Sequence, residues 1–242
     1  MADSPTAVSD REHNLRHTLV YQNLRDWIAE ADRLGELRDV KGASWEQDIG
    51  LACTVVKYDE DAPVLLFDDI PGVKPGFRVL ANFFGGKRKN MTLGFPTDLS
   101  KVELSDAWAE VYSHDQQSLI PPVIVEDGPV FENIQMGDEV DIDQFPSPIW
   151  HEGDGGRYIG TGSYNVTADP DNGWLNLGCY RIMAKDSKTV AFNTGLGKHG
   201  RIHFEKNAAK GEKTPVVMVI GGDPMAFIMG GYEVPSGVSE YD

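Results

Sequence analysis

Asn176, His199 and Glu240 combine three groups that bind hard divalent metal ions: an amide oxygen, an imidazole nitrogen and a carboxylate. This combination favours Mn²⁺ or Mg²⁺ over Zn²⁺, above all if phosphate oxygens complete the coordination shell. Arg181, five residues after Asn176, carries a planar guanidinium that could bind a carboxylate through two hydrogen bonds. An odd spacing on a flat strand places two side chains on opposite faces, so one shared site requires a twist or bulge. Taken singly, these residues equally suit a turn, a helix start and surface charge.

The segment Gly195–Gly200 reads G-x-G-x-x-G between a strand-like and a helix-like stretch. A second strand-like stretch ends near Asp223, a spacing typical of a dinucleotide-binding βαβ unit. Such a turn would place a pyrophosphate at a helix N-terminus, as in an NAD(P)-dependent oxidoreductase. The other interpretation is a glycine-rich turn from strand to helix, which the short helix and the strand-rich surroundings favour.

Two further candidates are open to ordinary structural explanations. The segment Trp150–Tyr158 places His, Glu, Asp and Arg side chains around three glycines. It could bind a substrate or a metal, or it could be a polar loop whose glycines form tight turns. Cys179 could be a nucleophile, but no evident base accompanies it, and a small buried thiol is the more common case.

The elements that would position these residues differ between the two parts of the chain. Apolar residues at helical spacing predict a helix over 21–35, followed by a strand over 36–40. The capping boxes Ser44-x-x-Gln47 and Ser100-x-x-Glu103 predict helices to about residues 57 and 113. Strands are predicted over 64–67 and 77–81. We therefore expect a polar lead-in over 1–20 and an α/β domain over 21–120.

Short strands separated by Gly, Asp, Asn and Pro dominate the rest of the chain. They are predicted over 123–125, 130–134, 158–168, 174–184, 188–193 and 215–220, with one helix over 201–210. We therefore expect a β-rich domain of barrel type over 121–242. The predicted fold class is α+β.

Composition excludes several functional classes. The 242 residues carry 22 Lys+Arg against 38 Asp+Glu, a formal net charge of −16. This acidity argues against nucleic acid or an anionic membrane as the main partner. No apolar run approaches the roughly 20 residues that a membrane helix needs, and the first residues lack the apolar core of a signal peptide. Two cysteines form no disulfide framework, so we expect a cytoplasmic protein.

Several motifs in a fixed order resemble the UbiD family of decarboxylases, which use prenylated FMN. They are Leu24-Arg-Asp-Trp-Ile, Pro63-Val-Leu-Leu-Phe-Asp, Phe145-Pro-Ser-Pro-Ile-Trp-His-Glu, Asp154-Gly-Gly-Arg-Tyr-Ile, Trp174-Leu-Asn-Leu-Gly-Cys-Tyr-Arg and Gly237-Val-Ser-Glu. The resemblance implies that the β-rich domain is part of a split β-barrel of the flavin-reductase type. It also implies the activity: reversible, non-oxidative decarboxylation of an aromatic or α,β-unsaturated carboxylic acid.

The resemblance assigns roles residue by residue. Asn176, His199 and Glu240 match the three protein ligands of a Mn²⁺ or Mg²⁺ ion that holds the cofactor phosphate, with K⁺ as a further candidate ion. Arg181 matches an arginine that lies beside the flavin and pairs with the substrate carboxylate. The other residues implied to line the cofactor are Leu177, Gly178, Cys179, Tyr180, Lys198, Gly230, Gly231 and Tyr232. Under this interpretation, Gly195–Gly200 is the loop that delivers His199.

The same resemblance sets expectations for partners and for the extent of the chain. A flavin prenyltransferase would supply the cofactor, and the full-length protein would form a homo-oligomer. Family members continue beyond Gly237-Val-Ser-Glu with two catalytic glutamates and a C-terminal assembly domain. We therefore expect this chain to be the N-terminal half of such an enzyme. The alternative is a non-catalytic subunit or fragment that binds the cofactor and the metal.

Overall fold

The computed structural model of the protein describes residues 18–115 and 120–241. Its helices are α1 (Leu24–Arg33), α2 (Asp48–Val56), α3 (Gly86–Thr92), α4 (Lys101–Asp115), α5 (His199–Ala209) and α6 (Pro224–Gly230). Its strands are β1 (Leu37–Lys41), β2 (Val64–Asp68), β3 (Val79–Ala81), β4 (Arg157–Gly160), β5 (Tyr164–Ala168), β6 (Leu175–Gly178), β7 (Ile182–Asp186), β8 (Thr189–Phe192) and β9 (Val216–Val219). The chain is thus of mixed α and β structure, as predicted. Most of the predicted lead-in, residues 1–17, lies outside the described residues, and the division near residue 120 stays a prediction.

A three-stranded sheet in the order β1-β2-β3 forms the centre of the first part. Strand β2 pairs parallel with β1 and antiparallel with β3. Its first four residues are buried because helices cover the sheet on both faces, which explains the continuous apolar run from Val64 to Phe67. Trp27 of α1 is completely buried, and its indole nitrogen donates a 2.8 Å hydrogen bond to Thr92 Oγ1.

One of the two predicted capping boxes is confirmed, and the other has a different partner. The Ser100 amide donates to Glu103 Oε2 at 3.0 Å, and the Glu103 amide donates to Ser100 Oγ at 3.3 Å. Ser44 instead exchanges such hydrogen bonds with Asp48, at 2.9 and 3.3 Å, so naming Gln47 as its partner was wrong. Helix α2 begins at Asp48, directly after Gln47, whose side chain makes no capping hydrogen bond.

Two antiparallel sheets form the second part, in the orders β4-β7-β8 and β6-β5-β9. The single strands predicted over 158–168 and 174–184 are each broken in two. The breaks fall at 161–163 and at 179–181, where the chain passes from one sheet to the other. Asn176 therefore lies in one sheet, and Arg181 immediately precedes a strand of the other. The two residues do not share one flat strand, so their odd spacing does not place them on opposite faces of it.

The strands predicted over 123–125 and 130–134 are wrong. Within the described part of the chain these residues pair with no strand, and a 3₁₀ turn at Pro129–Phe131 interrupts them. Their apolar side chains are exposed, as shown by 93% exposure at Ile124 and 79% at Val130. Apolar residues suited to a strand do not form one without a partner to complete the hydrogen bonds.

Helices α3 and α6 were not predicted. Helix α3 contains mostly polar residues and has no apolar periodicity, although Arg88, Asn90 and Thr92 are buried. The start of helix α6 could have been predicted from Asp223-Pro224, because an Asp N-cap followed by proline is typical of a helix N-terminus. In the structure, Asp223 accepts from the amides of Met225 and Ala226. No helix among the described residues is both long enough and apolar enough to cross a membrane.

Candidate functional site

Asn176 is buried in strand β6 and faces its hairpin partner β5. The register pairs Asn176 with Thr167, and Asn176 Nδ2 donates a 3.3 Å hydrogen bond to Thr167 Oγ1. The hairpin turn is closed by hydrogen bonds from Gly173 and Asp169, each at 2.8 Å. Gly173 has φ +78°, a conformation that glycine adopts without strain, so the predicted hairpin is confirmed.

His199 is the first residue of helix α5 and is partly buried. The loop before it turns at Gly197, which has φ +78°. The His199 ring packs edge-on against the Trp174 indole, with the ring centroids 4.8 Å apart. The loop at Gly195–Gly200 thus delivers His199 to the end of β6, where Asn176 lies.

This topology contradicts the dinucleotide-binding alternative. Strand β8, which precedes the loop, pairs antiparallel with β7, whereas β9 lies in the other sheet and pairs antiparallel with β5. A βαβ unit requires both strands to run parallel in one sheet. In addition, the Gly200 amide already donates to Tyr180 Oη at 3.2 Å.

Glu240 joins Asn176 and His199 through the backbone of β6. Its Oε2 accepts a 2.8 Å hydrogen bond from the Leu177 amide, and the Trp174 indole donates to Val238 O at 3.0 Å. Burial raises the pKa of the Glu240 carboxyl, and the Leu177 amide and the nearby His199 ring partly oppose that rise. Glu240 and His199 thus both lie beside the stretch from Trp174 to Leu177 that contains Asn176.

In the described part of the chain, no three His, Cys, Asp or Glu side chains form a group that could hold a metal ion. The set at Trp174 contains two such residues, His199 and Glu240, and its third member is the amide of Asn176. The amide nitrogen is engaged with Thr167, so the amide oxygen is the atom available to a cation.

The segment from Leu177 to Arg181 carries the other predicted site residues. Arg181 is exposed at the point where the chain enters the second sheet. Tyr180 is buried, and its ring fills the space beside Gly178 and Gly200: a Cβ on either glycine would lie 2.5 or 2.9 Å from the ring. Cys179 donates to Phe227 O at 3.1 Å, and burial raises the pKa of its thiol to about 11. This environment disfavours a thiolate nucleophile.

Family models match both parts of the chain. The 3-octaprenyl-4-hydroxybenzoate carboxy-lyase N-terminal domain matches residues 28–108, and the Rift-related domain of the same enzyme matches residues 123–242. The chain belongs to the UbiD family.

Individual UbiD relatives agree with this assignment. The chain is 34% identical over 229 residues to the pyrrole-2-carboxylic acid decarboxylase of Pseudomonas aeruginosa, covering 90% of this chain and 45% of that protein. It is similar to the closed form of the vanillic acid decarboxylase of Sedimentibacter hydroxybenzoicus, with a TM-score of 0.84, 26% identity and coverage of 93% and 48%. It also shares the fold of the UbiD-class enzyme HmfF from Pelotomaculum thermopropionicum in complex with prFMN, with a TM-score of 0.78, 22% identity and coverage of 91% and 49%. The chain spans about half the length of the relatives it matches.

Three more of the predicted site residues, Gly230, Gly231 and Tyr232, lie at the end of helix α6 and directly after it. Gly230 O accepts a 3.0 Å hydrogen bond from the Cys179 amide, and a Cβ on Gly230 would lie 3.2 Å from Cys179 Sγ. Gly231 ends helix α6. Tyr232 packs edge-on against Trp108 of α4, so this residue faces the first part of the chain.

Among the described residues, no side-chain contact links Lys198 or the Trp150–Tyr158 loop to Asn176, His199 or Glu240. Lys198 is exposed at the start of α5. In the loop, the Asp154 carboxylate accepts from the amides of Trp150 and His151, and Arg157 pairs with Asp143. These contacts fit the interpretation of a polar loop with tight turns.

Two buried polar residues that contact the site, Asn165 and His203, were not predicted from the sequence. Asn165 is completely buried, and its Nδ2 donates to Gly178 O at 3.1 Å and to Tyr180 O at 3.0 Å. His203 is also completely buried, and burial is the main cause that lowers the pKa of its ring. His203 could have been predicted to lie near His199, because residues four apart in a helix share one face.

Proposed function

We propose that this chain holds the prenylated FMN and the metal ion of a carboxy-lyase. The reaction is the reversible, non-oxidative decarboxylation of an aromatic or α,β-unsaturated carboxylic acid. The hydrogen bond between Glu240 and the Leu177 amide carries the proposal, because it brings a carboxylate beside Asn176 and His199. The names of the relatives support it: pyrrole-2-carboxylic acid, phenolic acid and vanillic acid decarboxylases.

Asn176, His199 and Glu240 would hold Mn²⁺ or Mg²⁺, with K⁺ a further candidate ion in the same enzyme. The donor set fits such a cation, because it offers an amide oxygen, an imidazole nitrogen and a carboxylate oxygen. The raised pKa of Glu240 reflects a carboxylate taken out of water, and a bound cation would stabilise its ionised form. One Glu240 oxygen is engaged with Leu177, which leaves the other for the ion.

The segment Leu177–Tyr180, together with Lys198 and Gly230–Tyr232, would line the cofactor. When it is bound, prenylated FMN supplies the electron sink that makes loss of CO₂ possible. The two sheets would form one split β-barrel, since the chain crosses between them twice. Asn165 fixes the carbonyls of Gly178 and Tyr180 and so holds the lining segment in one conformation.

Arg181 would bind the substrate carboxylate. Its guanidinium is exposed at the end of the lining segment. A planar guanidinium orients a carboxylate through two parallel hydrogen bonds, which would present the departing CO₂ group in one direction. It would also hold neighbouring acid groups in the ionised form.

The whole protein would depend on partners. A flavin prenyltransferase would supply the modified flavin, and the full-length form would assemble as a homo-oligomer.

The test is co-expression with a flavin prenyltransferase, followed by flavin absorbance, metal analysis and CO₂ release. Pyrrole-2-carboxylic and vanillic acids would be the first substrates, assayed with this chain and with any longer form of the protein. His199→Ala and Glu240→Ala should lose metal and flavin together. Arg181→Ala should keep both and lose turnover.

Arg201→Ala is the matched control, because this arginine is a surface residue of α5 paired with Glu205. Unchanged metal and flavin content in both ligand variants would contradict the metal assignment. Retained turnover in Arg181→Ala would contradict its role. Binding of both groups without CO₂ release from any form would favour the non-catalytic alternative.

A further inference from the structure

A buried chain of polar side chains lies behind Asn176. Thr167 Oγ1 is 3.3 Å from Asn176 Nδ2 and 3.0 Å from His203 Nδ1, and all three residues are buried. The strand register sets the first contact, since Thr167 and Asn176 are direct partners in the β5–β6 hairpin. Helix α5 sets the second, because His203 follows His199 by about one turn on the same face.

Asp169 stands at the far end of this chain. Its Oδ2 accepts from Lys206 Nζ at 2.6 Å, and its Oδ1 accepts from the Asp171 amide at 2.9 Å. The same Oδ2 lies 3.9 Å from His203 Nε2, a buried atom without a hydrogen-bond partner among the described residues. A carboxylate is an acceptor only, so it favours the imidazole tautomer that carries its proton on Nε2. The Thr167 backbone carbonyl is a competing acceptor for a ring proton of His203, so the tautomer decides between the two.

This tautomer fixes the direction of each later hydrogen bond. If His203 Nε2 carries the proton, Nδ1 is an acceptor, and the Thr167 hydroxyl must donate to it. The Thr167 oxygen then accepts, and the group that donates to it is the Asn176 amide nitrogen. The amide cannot turn over without losing this bond, so its oxygen is left for a cation.

We propose that Thr167 and His203 are positioning residues that hold the Asn176 amide with its oxygen available to a metal ion, and that Asp169 selects the required tautomer of His203. This role rests on the proposed function, because it concerns a proposed metal ligand. Outer residues that orient metal ligands commonly change metal affinity by about 10–100-fold when they are lost.

The first experiment reads the tautomer directly and needs no metal. Long-range ¹H–¹⁵N correlation spectra of the metal-free chain report which ring nitrogen of each histidine carries the proton, and His203→Gln assigns the signals by their loss. We expect the proton of His203 on Nε2. A proton on Nδ1 would overturn the proposal, whatever the metal experiments show.

The second experiment measures Mn²⁺ affinity by calorimetry, with Mn²⁺ alone as the probe. Thr167→Val removes the hydroxyl at nearly constant volume and should weaken binding by about 10–100-fold. Thr167→Ser keeps the hydroxyl and should bind nearly as well as the unmodified chain. Thr92→Val is the matched control: its hydroxyl is equally buried and makes two hydrogen bonds, but with Trp27 and Arg88 in the first part of the chain.

Thr92→Val should lower the melting temperature as Thr167→Val does while leaving Mn²⁺ affinity unchanged. Equal loss of affinity in the two valine variants, or none in Thr167→Val, would overturn the positioning role alone. An unmodified chain that binds no Mn²⁺ would overturn the metal assignment of the proposed function and this role with it.

Discussion

The Leu177 amide donates a 2.8 Å hydrogen bond to Glu240 Oε2 across 63 residues of sequence. Leu177 lies on β6, an edge strand of its sheet, so within residues 18–115 and 120–241 this amide has no partner strand on its outer side. Glu240 takes the place of that partner. The same carboxylate therefore stabilises the strand edge and supplies a candidate metal ligand.

These two roles can be separated by substitution. Glu240→Gln keeps an acceptor for the Leu177 amide, whereas Glu240→Ala removes it. We expect the free energy of unfolding to fall by about 1–2 kcal/mol in the alanine variant and to stay nearly unchanged in the glutamine variant. Both should weaken Mn²⁺ binding at least about 10-fold. Chemical denaturation and calorimetry measure the two effects, and full Mn²⁺ affinity in either variant would refute the ligand role.

The sequence contained the ligands but not the reason they meet. Asn176 and Glu240 were predicted from motifs whose order resembles the UbiD family. Their meeting depends on Trp174, which contacts His199 and donates to Val238 O. No local pattern encodes these contacts, because Thr167, His199 and Val238 come from three separate segments that only the folded chain brings to Trp174 and Asn176.

Trp174→Phe tests this bridging role. Phenylalanine keeps a ring against His199 and His203 but cannot donate to Val238 O. We expect a loss of about 0.5–1.5 kcal/mol in the free energy of unfolding and weaker Mn²⁺ binding, because the segment that carries Glu240 is less well held. Trp150→Phe is the control, since its buried indole nitrogen has no hydrogen-bond partner among the described residues. Equal effects in the two variants would contradict the bridge.

Gly178 tests whether the lining segment is closely packed. A Cβ at this position would lie 2.5 Å from the Tyr180 ring, so Gly178→Ala should destabilise the protein by about 1–3 kcal/mol. Gly155→Ala is the control, because its nearest neighbour, Met183 Sδ, would be 3.9 Å away. Adding Tyr180→Ala should make the double variant less destabilised than the sum of the single ones. Simple additivity would show that the clash is absent.

Local signals predicted the first part of the chain better than the second. Helix α1 and the Ser100–Glu103 box follow from residues within one or two turns of each other. The strand breaks at 161–163 and 179–181 instead depend on which sheet each half joins, a choice made by distant partners such as β9. The strands predicted over 123–125 and 130–134 were wrong for the same reason: a strand-like sequence forms a strand only where a partner strand is present.

Because Arg88 is buried, we expect the stability of the fold to depend strongly on the Glu36 carboxylate that pairs with it. Its guanidinium is completely buried, bonded to Glu36 at 2.6 Å and to Ala62 O at 2.8 Å. Removing Glu36 leaves a buried charge without its counter-ion, so Glu36→Ala should cost about 3–5 kcal/mol. The double variant Glu36→Leu with Arg88→Met should recover part of that loss, because no buried charge remains.

Asp138→Ala is the control for Glu36→Ala, since it breaks the exposed ion pair with Lys188. We expect that change to cost less than about 1 kcal/mol. Urea denaturation of the four proteins measures the differences. A Glu36→Ala variant as stable as Asp138→Ala would show that the buried pair does not stabilise the fold.

Lys206 should make stability depend on pH through Asp169 and Asp171, because its ammonium group pairs with both carboxylates. Its hydrogen bond is the main cause that lowers the pKa of the Asp169 carboxyl below its ordinary value, with help from the Asp171 amide. A carboxyl whose pKa is lower in the folded than in the unfolded state stabilises the protein above the unfolded value, about 3.9. That stabilisation is lost as the pH falls through the lower, folded value.

Lys206→Met should therefore unfold at a lower urea concentration than the unmodified chain at pH 6. The difference between the two urea midpoints should narrow as the pH falls below about 4, where Asp169 of the unfolded chain binds its proton. Lys188→Met, which removes an exposed partner of Asp138, should differ little from the unmodified chain at either pH. Urea midpoints at several pH values between 3 and 6, a range set by the usual carboxyl pKa of about 3.9, give the comparison. A gap that stays constant or widens toward low pH would mean that Lys206 acts through packing and not through the Asp169 and Asp171 carboxylates.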